Sequence, residues 1–143
     1  MELREVMTDH VECISPEATI QEASSRMKDC DVGDLLVCDN DKLAGVITDR
    51  DIIVRAIAAG TSPTQVHVGD IMTPNVVYCY EDDDVEDAAR IMQEKQIRRL
   101  AILNRKKRLV GIVSLGDLAL QTQDDLLAGK TLEAVCEPVG AGA

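Results

Sequence analysis

The chain has 143 residues and a formal net charge of −11, and its aromatic side chains are limited to two Tyr. Nucleic acids and anionic membrane surfaces attract basic proteins, so the charge argues against both as partners. The charged N-terminus and the lack of a long apolar run predict a cytoplasmic protein that does not enter a membrane. Aliphatic side chains must fill the core, and the length suits one compact domain or two small joined lobes.

The first half of the chain has the pattern of a β-α-β-β-α unit. Its predicted elements are an entry helix at 3–8, strands at 11–14, 35–38 and 44–48, and helices at 19–29 and 49–59. Thr19 and Glu22 form a capping-box pattern at the start of the first helix. Helical spacing marks the residues expected to face the core: Ile20, Ala23 and Met27 in the first helix, and Ile52, Ile53, Ala56 and Ile57 in the second.

A Pro- and hydroxyl-rich stretch at 61–67 marks the boundary, after which the same order of elements repeats. Strands are predicted at 76–80, 100–103 and 109–114, and a helix starts near Asp84 with Val85, Ala88 and Met92 inward. A last helix, with a break along it, runs from Ser114 to about Leu127. The predicted division is therefore a first repeat at 1–62, a second at 63–128 and a C-terminal tail at 129–143, with its last residues loosely held.

The two halves also match residue by residue. Alignment of the copies pairs Met7 with Met72, Thr8 with Thr73, Ala23 with Ala88, Met27 with Met92 and Leu35 with Leu100. The longest match joins GVITDRD at 45–51 to GIVSLGD at 111–117. Two copies of so long a repeat indicate two similar subdomains packed together rather than an open solenoid.

Each repeated motif ends an apolar strand with a hydroxyl residue followed three positions later by Asp: Thr48 with Asp51, and Ser114 with Asp117. One interpretation is ordinary helix capping. The other is a ligand site, because free amides at a helix start can hold a phosphate and a carboxylate can accept hydrogen bonds from the cis-diol of a ribose. Capping alone would explain either copy singly, but two copies in matching context favour the ligand site.

These motifs resemble the cystathionine beta-synthase (CBS) domain pair, or Bateman module. The resemblance rests on the openings VMT and IMTP, the middle segments DVGDLLVCD and QIRRLAILN, and the closing motifs above, and it covers about residues 3 to 122. Length and the phrase TDRDIIVRAIAAG are most similar to small stand-alone CBS-pair proteins of the hypoxic-response type. The resemblance implies an α/β fold of two pseudo-twofold β-α-β-β-α repeats, with clefts between them that bind AMP, ATP, NAD or S-adenosylmethionine.

The same resemblance places the ligand contacts. Arg98 and Arg99 enter the second cleft where Gly33 and Asp34 enter the first, so the second is expected to hold phosphate better. For the two arginines, packing is an equally favoured alternative. The resemblance also places Arg50 in the first cleft and Tyr78 against the adenine of the second; the alternative for Tyr78 is a strand tyrosine with its hydroxyl in water. We expect a solvated loop at 105–108 and a helix-start charge cluster at 81–84; the alternative for the acidic run is weak binding of a divalent cation.

The five cysteines lack the close spacing of zinc sites, so free thiols are the default and no metal is expected. Cys13 and Cys38 lie on strands predicted to be parallel and adjacent, which makes a disulfide between them the alternative. The two histidines, His10 and His67, have no partner at catalytic spacing, so no catalytic residue and no enzyme activity are predicted.

Three functions follow, in order of preference. The first is a regulatory module that senses an adenosine nucleotide, needs no other cofactor, acts on a protein partner and forms a homodimer through the helices that begin at Asp49 and Ser114. The second is a non-catalytic interaction or redox-responsive scaffold whose clefts are empty. The third, an enzyme, has no set of residues to support it.

Overall fold

In the computed structural model, residues 1–138 are described, and the tail's expected loose end at 139–143 lies outside them. Across the described residues, no helix is long and apolar enough to cross a membrane. The chain divides into two compact units. One comprises Glu12–Val76, and the other joins Met1–Val11 to the chain from Val77 onward.

The unit Glu12–Val76 is built on a four-stranded sheet in the order β1-β2-β3-β4. Its elements are β1 (Cys13–Ile14), α1 (Ile20–Cys30), β2 (Asp34–Asp39), β3 (Lys42–Thr48), α2 (Asp49–Asp51) with its π-helical continuation Ile52–Ile57, α3 (Val68–Ile71) and β4 (Thr73–Pro74). β1 is parallel to β2, and the other neighbours are antiparallel. The inward faces of α1 and of β2 and β3 form its aliphatic core.

The second unit has a three-stranded sheet in the order β5-β6-β7. Its elements are a 3₁₀ turn (Leu3–Glu5), β5 (Tyr78–Tyr80), α4 (Val85–Lys95), β6 (Arg99–Leu103), β7 (Leu109–Ser114), α5 (Leu115–Gln121) and α6 (Asp125–Cys136). β5 is parallel to β6, and β6 is antiparallel to β7. The buried residues of α4 and the strands form a core of their own, to which Leu3 and Val6 contribute.

The opening segments of the two repeats are exchanged between the compact units. Thr8, from the first repeat, forms an isolated bridge with Ile112 of β7, in the second repeat. Thr73, from the second repeat, pairs with Val46 of β3, in the first repeat's sheet. Sequence repeats and compact units are thus different divisions of the chain. The exchange also explains a glycine in each closing motif, because a Cβ on Gly111 would lie 2.6 Å from Met7 Sδ and 2.9 Å from Thr8 O.

Most local predictions are confirmed. Each unit contains the β-α-β-β-α order, and Thr19 Oγ1 accepts a hydrogen bond from the Glu22 amide at 3.2 Å. The predicted inward residues of α1 and α4 are buried: Ile20, Ala23, Met27, Val85, Ala88 and Met92. These features depend on capping and periodicity within a few residues, which local sequence determines.

Two helix predictions need correction. After α2 the chain adopts π-helical turns, so Ile52 and Ala56 are buried but Ile53 and Ile57 are 60% and 49% exposed. Hydrogen bonds five residues apart, such as Ala58 N–H to Ile53 O, give a side-chain spacing that differs from the 3.6-residue period. In the second unit, the predicted break lies between α5 and α6, but α6 continues past Leu127 to Cys136, within the predicted tail.

Candidate functional site

The junction of β7 and α5 forms a reciprocal capping box. Ser114 Oγ accepts from the Asp117 amide at 3.0 Å, and Asp117 Oδ2 accepts from the Ser114 amide at 2.9 Å. In the described chain, nothing pairs with the other carboxylate oxygen of Asp117, Oδ1. The cap therefore orients this carboxylate while leaving one oxygen able to accept a ligand hydroxyl.

The equivalent junction of β3 and α2 has the same cap and a different environment. Thr48 Oγ1 accepts from the Asp51 amide, and Asp51 Oδ2 accepts from the Thr48 amide, both at 3.0 Å. Here the second oxygen, Asp51 Oδ1, lies 3.7 Å from Arg55 Nε. The first junction's carboxylate already faces a cation within its own helix, unlike that of Asp117.

The charge beside the two junctions also differs. In one unit the Asp49 amide donates to Gly33 O, and in the other the Leu115 amide donates to Arg98 O, both at 2.9 Å. The same backbone hydrogen bond is therefore present in both units. Gly33 in one unit is replaced by Arg98 in the other, and the carboxylate of Asp49 is replaced by the apolar side chain of Leu115. Asp49 lies so close to Gly33 that a Cβ there would be 3.1 Å from Asp49 Oδ2. The second unit's junction is thus the better electrostatic match for an anion.

A cavity of about 520 Å³ opens beside this junction, entirely within the second unit. Its lining comes from the start of β6, from the junction, from α5 and from α6: Arg98, Arg99, Ser114, Leu115, Gly116, Ala119, Ala128 and Leu132. The volume falls in the range of small-molecule sites. The structure therefore brings together three of the predicted contact residues, Arg98, Arg99 and Ser114, at one cavity.

Sequence reasoning missed the α6 contribution to this cavity. Ala128 and Leu132 lie beyond the matched motifs, which end at Asp117, so the comparison of the two halves gave no position for them. The available signal was the apolar spacing of Leu127, Thr131 and Val135, which predicts a helix that packs through one face. Asp117 and Tyr78 are not part of the cavity lining, although Asp117 is hydrogen-bonded to Ser114.

Tyr78 lies in a separate aromatic cluster. Its ring meets that of Tyr80 edge to face, with 5.6 Å between centroids, and Arg105 lies 4.1 Å from the centroid of Tyr80. Arg105 also pairs with Asp82 through Nη2 and Oδ1 at 2.9 Å, and this guanidinium lowers the pKa of the Asp82 carboxyl. Arg105, assigned from sequence to a solvated loop, therefore links that loop to the acidic run before α4.

Of the other predicted site residues, Arg50 is exposed in the first turn of α2. Cys13 and Cys38 lie on adjacent parallel strands, as predicted, and their sulfur atoms are 3.1 Å apart. Both are free thiols in the structure, so the disulfide stays a prediction. Between residues 1 and 138, no group of three His, Cys, Asp or Glu side chains is arranged to hold a metal ion.

Comparison with known proteins assigns the fold to a family. The CBS domain profile matches residues 3–57 and 68–121. The chain belongs to the CBS domain family. The CBS domain-containing protein YhcV of Bacillus subtilis is 41% identical over 130 residues, which cover 91% of each chain. Hypoxic response protein 1 of Mycobacterium tuberculosis is 31% identical over 137 residues, which cover 95% of this chain and 94% of the relative.

Solved CBS structures share the same fold. The CBS domain protein PAE2072 of Pyrobaculum aerophilum, in complex with AMP, has a TM-score of 0.76 at 23% identity and covers 90% of this chain and 98% of its own. A hexameric CBS-CP12 protein from bloom-forming cyanobacteria has a TM-score of 0.69 at 30% identity, over 85% of this chain and 67% of its own. The tandem CBS pair predicted from the repeated motifs is confirmed.

Proposed function

We propose that this CBS-pair protein is a regulatory module that binds an adenosine nucleotide in the cavity beside Ser114. The observation that carries the proposal is the lining of that cavity, where Arg98, Arg99 and Ser114 provide donors for a phosphate beside an apolar wall. Guanidinium groups bind phosphate through charge-assisted, often bidentate, hydrogen bonds. AMP bound to a CBS protein of the same fold supports this class of ligand.

In this proposal the predicted residues at the cavity divide the ligand contacts. Arg98 and Arg99 neutralise the phosphate, Ser114 donates from its hydroxyl, and Asp117 Oδ1 accepts from the ribose diol. Tyr78 lies in the separate aromatic cluster and does not line this cavity, so its predicted contact with the adenine is not part of the proposal. Thr48, Arg50 and Asp51 form the corresponding site of the other unit, which is the weaker one because the carboxylates of Asp34 and Asp49 repel an anionic ligand.

Regulation requires that the ligand bind two states of the protein with different affinity. We propose that a regulated protein partner binds one of these two states and not the other. CBS-pair regulation needs no catalytic group, and the cap hydrogen bonds of Asp51 and Asp117 orient each carboxylate for a ligand contact.

Calorimetric titration of the protein with AMP, ATP, NAD and S-adenosylmethionine tests the proposal. Asp117→Asn is the sharpest variant, because the amide oxygen still accepts from Ser114 N–H while the second acceptor is lost. We expect at least one nucleotide to bind, and Asp117→Asn and Arg98→Gln each to weaken it about tenfold or more. Asp51→Asn is the matched control in the other unit and should change this affinity little.

Two outcomes contradict the proposal. Absence of heat with all four ligands, at protein and ligand concentrations up to millimolar, removes the nucleotide-sensor function for this class. Binding that survives Asp117→Asn and Arg98→Gln but is lost in Asp51→Asn moves the site to the junction of Thr48, against the charges described for that unit.

A second candidate function is a redox-responsive scaffold, and the 3.1 Å separation of the Cys13 and Cys38 sulfurs favours it. Oxidation would join the two thiols by a disulfide while two electrons and two protons pass to the oxidant. Treatment with diamide followed by peptide mass spectrometry tests this, with Cys13→Ser as the control. A Cys13–Cys38 disulfide that changes the oligomeric state supports the scaffold, whereas its absence contradicts it.

A further inference from the structure

Helix α6 is an addition to the CBS repeat, and only the second unit has it. The family match ends at residue 121, and α6 follows at Asp125–Cys136. The corresponding stretch of the other unit, 58–67, contains no helix. Two units with the same strand-to-helix junction therefore differ in what stands next to that junction.

Side-chain hydrogen bonds and apolar packing hold α6 in place. Gln96, at the end of α4, donates to the carbonyls of Ala134 and Glu137 at 3.1 and 2.8 Å. Gln93 donates to the hydroxyl of Thr131 at 3.0 Å, and this threonine is fully buried. Val135 packs into the second unit's core. The inward side of α6 is thus fixed by α4 rather than loosely attached.

The neighbouring side of α6 faces the candidate cavity through Ala128 and Leu132, which are one turn apart. Leu132 is nevertheless 50% exposed, so its apolar surface is not covered by the protein itself. The cavity lining therefore has two chemistries: guanidinium and hydroxyl groups from Arg98, Arg99 and Ser114, and methyl groups from Ala119, Ala128 and Leu132. This combination suits a ligand with an anionic end and a flat apolar end.

We propose that α6 is the specificity wall of the nucleotide site, where Ala128 and Leu132 seat the base while Arg98 holds the phosphate. The inference rests on the proposed function and adds the part of the site that selects the ligand. It explains why the second unit, rather than the first, is the principal site: the first has the carboxylate-rich junction and lacks a helix equivalent to α6 between residues 58 and 67.

The test compares Leu132→Ala with Leu126→Ala by calorimetry, using AMP and ribose 5-phosphate as probes. Leu126 is the matched control, since it is an exposed leucine of the same helix and does not line the cavity. We expect Leu132→Ala to weaken AMP binding about tenfold through lost apolar contact with the base. Its affinity for ribose 5-phosphate, which has no base, should stay that of the wild type, and Leu126→Ala should match the wild type for both probes.

Ala128→Leu is the second variant, because the larger side chain fills the cavity while leucine remains a good helix former. It should exclude AMP more strongly than ribose 5-phosphate, with an unchanged far-UV circular dichroism spectrum.

Equal AMP affinities for Leu132→Ala, Ala128→Leu and the wild type would overturn the role of α6 and leave the proposed function standing. Equal losses for AMP and ribose 5-phosphate would also overturn it, because the helix would then support the phosphate site and not select the base. A wild-type protein that binds neither probe, and gives no heat with ATP, NAD or S-adenosylmethionine either, removes the proposed function itself, and the specificity wall with it. If one of those three ligands binds while AMP does not, the same variants are compared with that ligand in place of AMP, and the same two outcomes overturn the role of α6.

Discussion

At the scale of single residues, Cys13 and Cys38 form an asymmetric thiol pair. The Cys38 thiol donates to the sulfur of Cys13, which lowers the pKa of Cys13 and raises that of Cys38. Cys79 is different, because burial raises its pKa to about 11 and keeps it a neutral core side chain. The three cysteines therefore differ in thiol reactivity because their surroundings in the sheets differ.

The lowered pKa predicts selective alkylation of Cys13. Because its thiolate forms at lower pH, iodoacetamide should modify Cys13 faster near pH 7 than a thiol of ordinary pKa and similar exposure. Cys38→Ala removes the donor and should slow this reaction about three- to tenfold, whereas Cys38→Ser keeps a donor and should preserve most of the rate. Site-resolved mass spectrometry over a pH series measures the effect. Equal Cys13 rates in both variants would contradict the hydrogen-bond explanation.

Gly111 is a second residue whose role depends on its neighbours. Gly111→Ala should lower the free energy of unfolding by about 1–3 kcal/mol, because its Cβ would meet Met7 Sδ at 2.6 Å and Thr8 O at 2.9 Å. Gly129→Ala is the control, since its Cβ would meet nothing within 4 Å and alanine favours the helix by about 0.5–1 kcal/mol. Urea denaturation compares the two, and a Gly111→Ala protein as stable as the wild type would exclude the clash.

At the scale of elements, both strand-to-helix junctions form helix caps that need no ligand. Both hydroxyl residues and both aspartates exchange hydrogen bonds across the first turn. This arrangement satisfies amides that a helix start leaves unpaired. A stability measurement on the ligand-free protein therefore separates the structural role from the binding role.

Removal of the cap at either junction should destabilise the protein by similar amounts. Thr48→Ala and Ser114→Ala are each expected to cost about 1 kcal/mol in the free energy of unfolding, because the Asp51 and Asp117 amides lose their acceptors. Ser25→Ala, at an exposed position within α1, is the control and should not destabilise. Chemical denaturation without nucleotide gives the comparison. If Ser114→Ala were as stable as the wild type, the serine would be retained for ligand binding alone.

At the scale of the whole molecule, several exposed apolar residues lie together on one helical segment. The π-helical continuation of α2 presents Ile53 and Val54 at 60% and 51% exposure, with Ile57 on the same segment. Adjacent exposed aliphatic side chains mark interaction surfaces, so we propose that this segment forms the contact of the homodimer expected from the sequence.

The homodimer proposal predicts a mass of twice 15.6 kDa in solution. Ile53→Asp places a charge in the proposed contact and should shift the protein toward the monomer by multi-angle light scattering. Leu126→Asp is the control, because Leu126 is also exposed but belongs to α6. A wild-type monomer would refute the proposal, and a dimer unaffected by Ile53→Asp would place the contact on another surface.

Much of the fold was predictable because its signals are local. Thr19, Asp84 and Ser114 mark helix starts within one turn, and the apolar period of α1 and α4 identifies their buried faces. The repeated motifs extended this reasoning to the family and to Ser114, and the resemblance to the family added Arg98 and Arg99. Duplication made these positions visible, since each could be compared with its counterpart in the same chain.

The sequence by itself determined the two β-α-β-β-α repeats, their caps and the difference in charge between Gly33–Asp34 and Arg98–Arg99. Only the tertiary structure decided which sheet each opening segment joins, which isoleucines the π turns expose, and that α6 lines the cavity. The physical reason is range: caps and periodicity act between residues a few positions apart, whereas strand partners and cavity walls depend on contacts between distant segments. The bridge between Thr8 and Ile112 is a contact of this second kind, and the cavity that Arg98 and Leu132 both line is a wall of this kind.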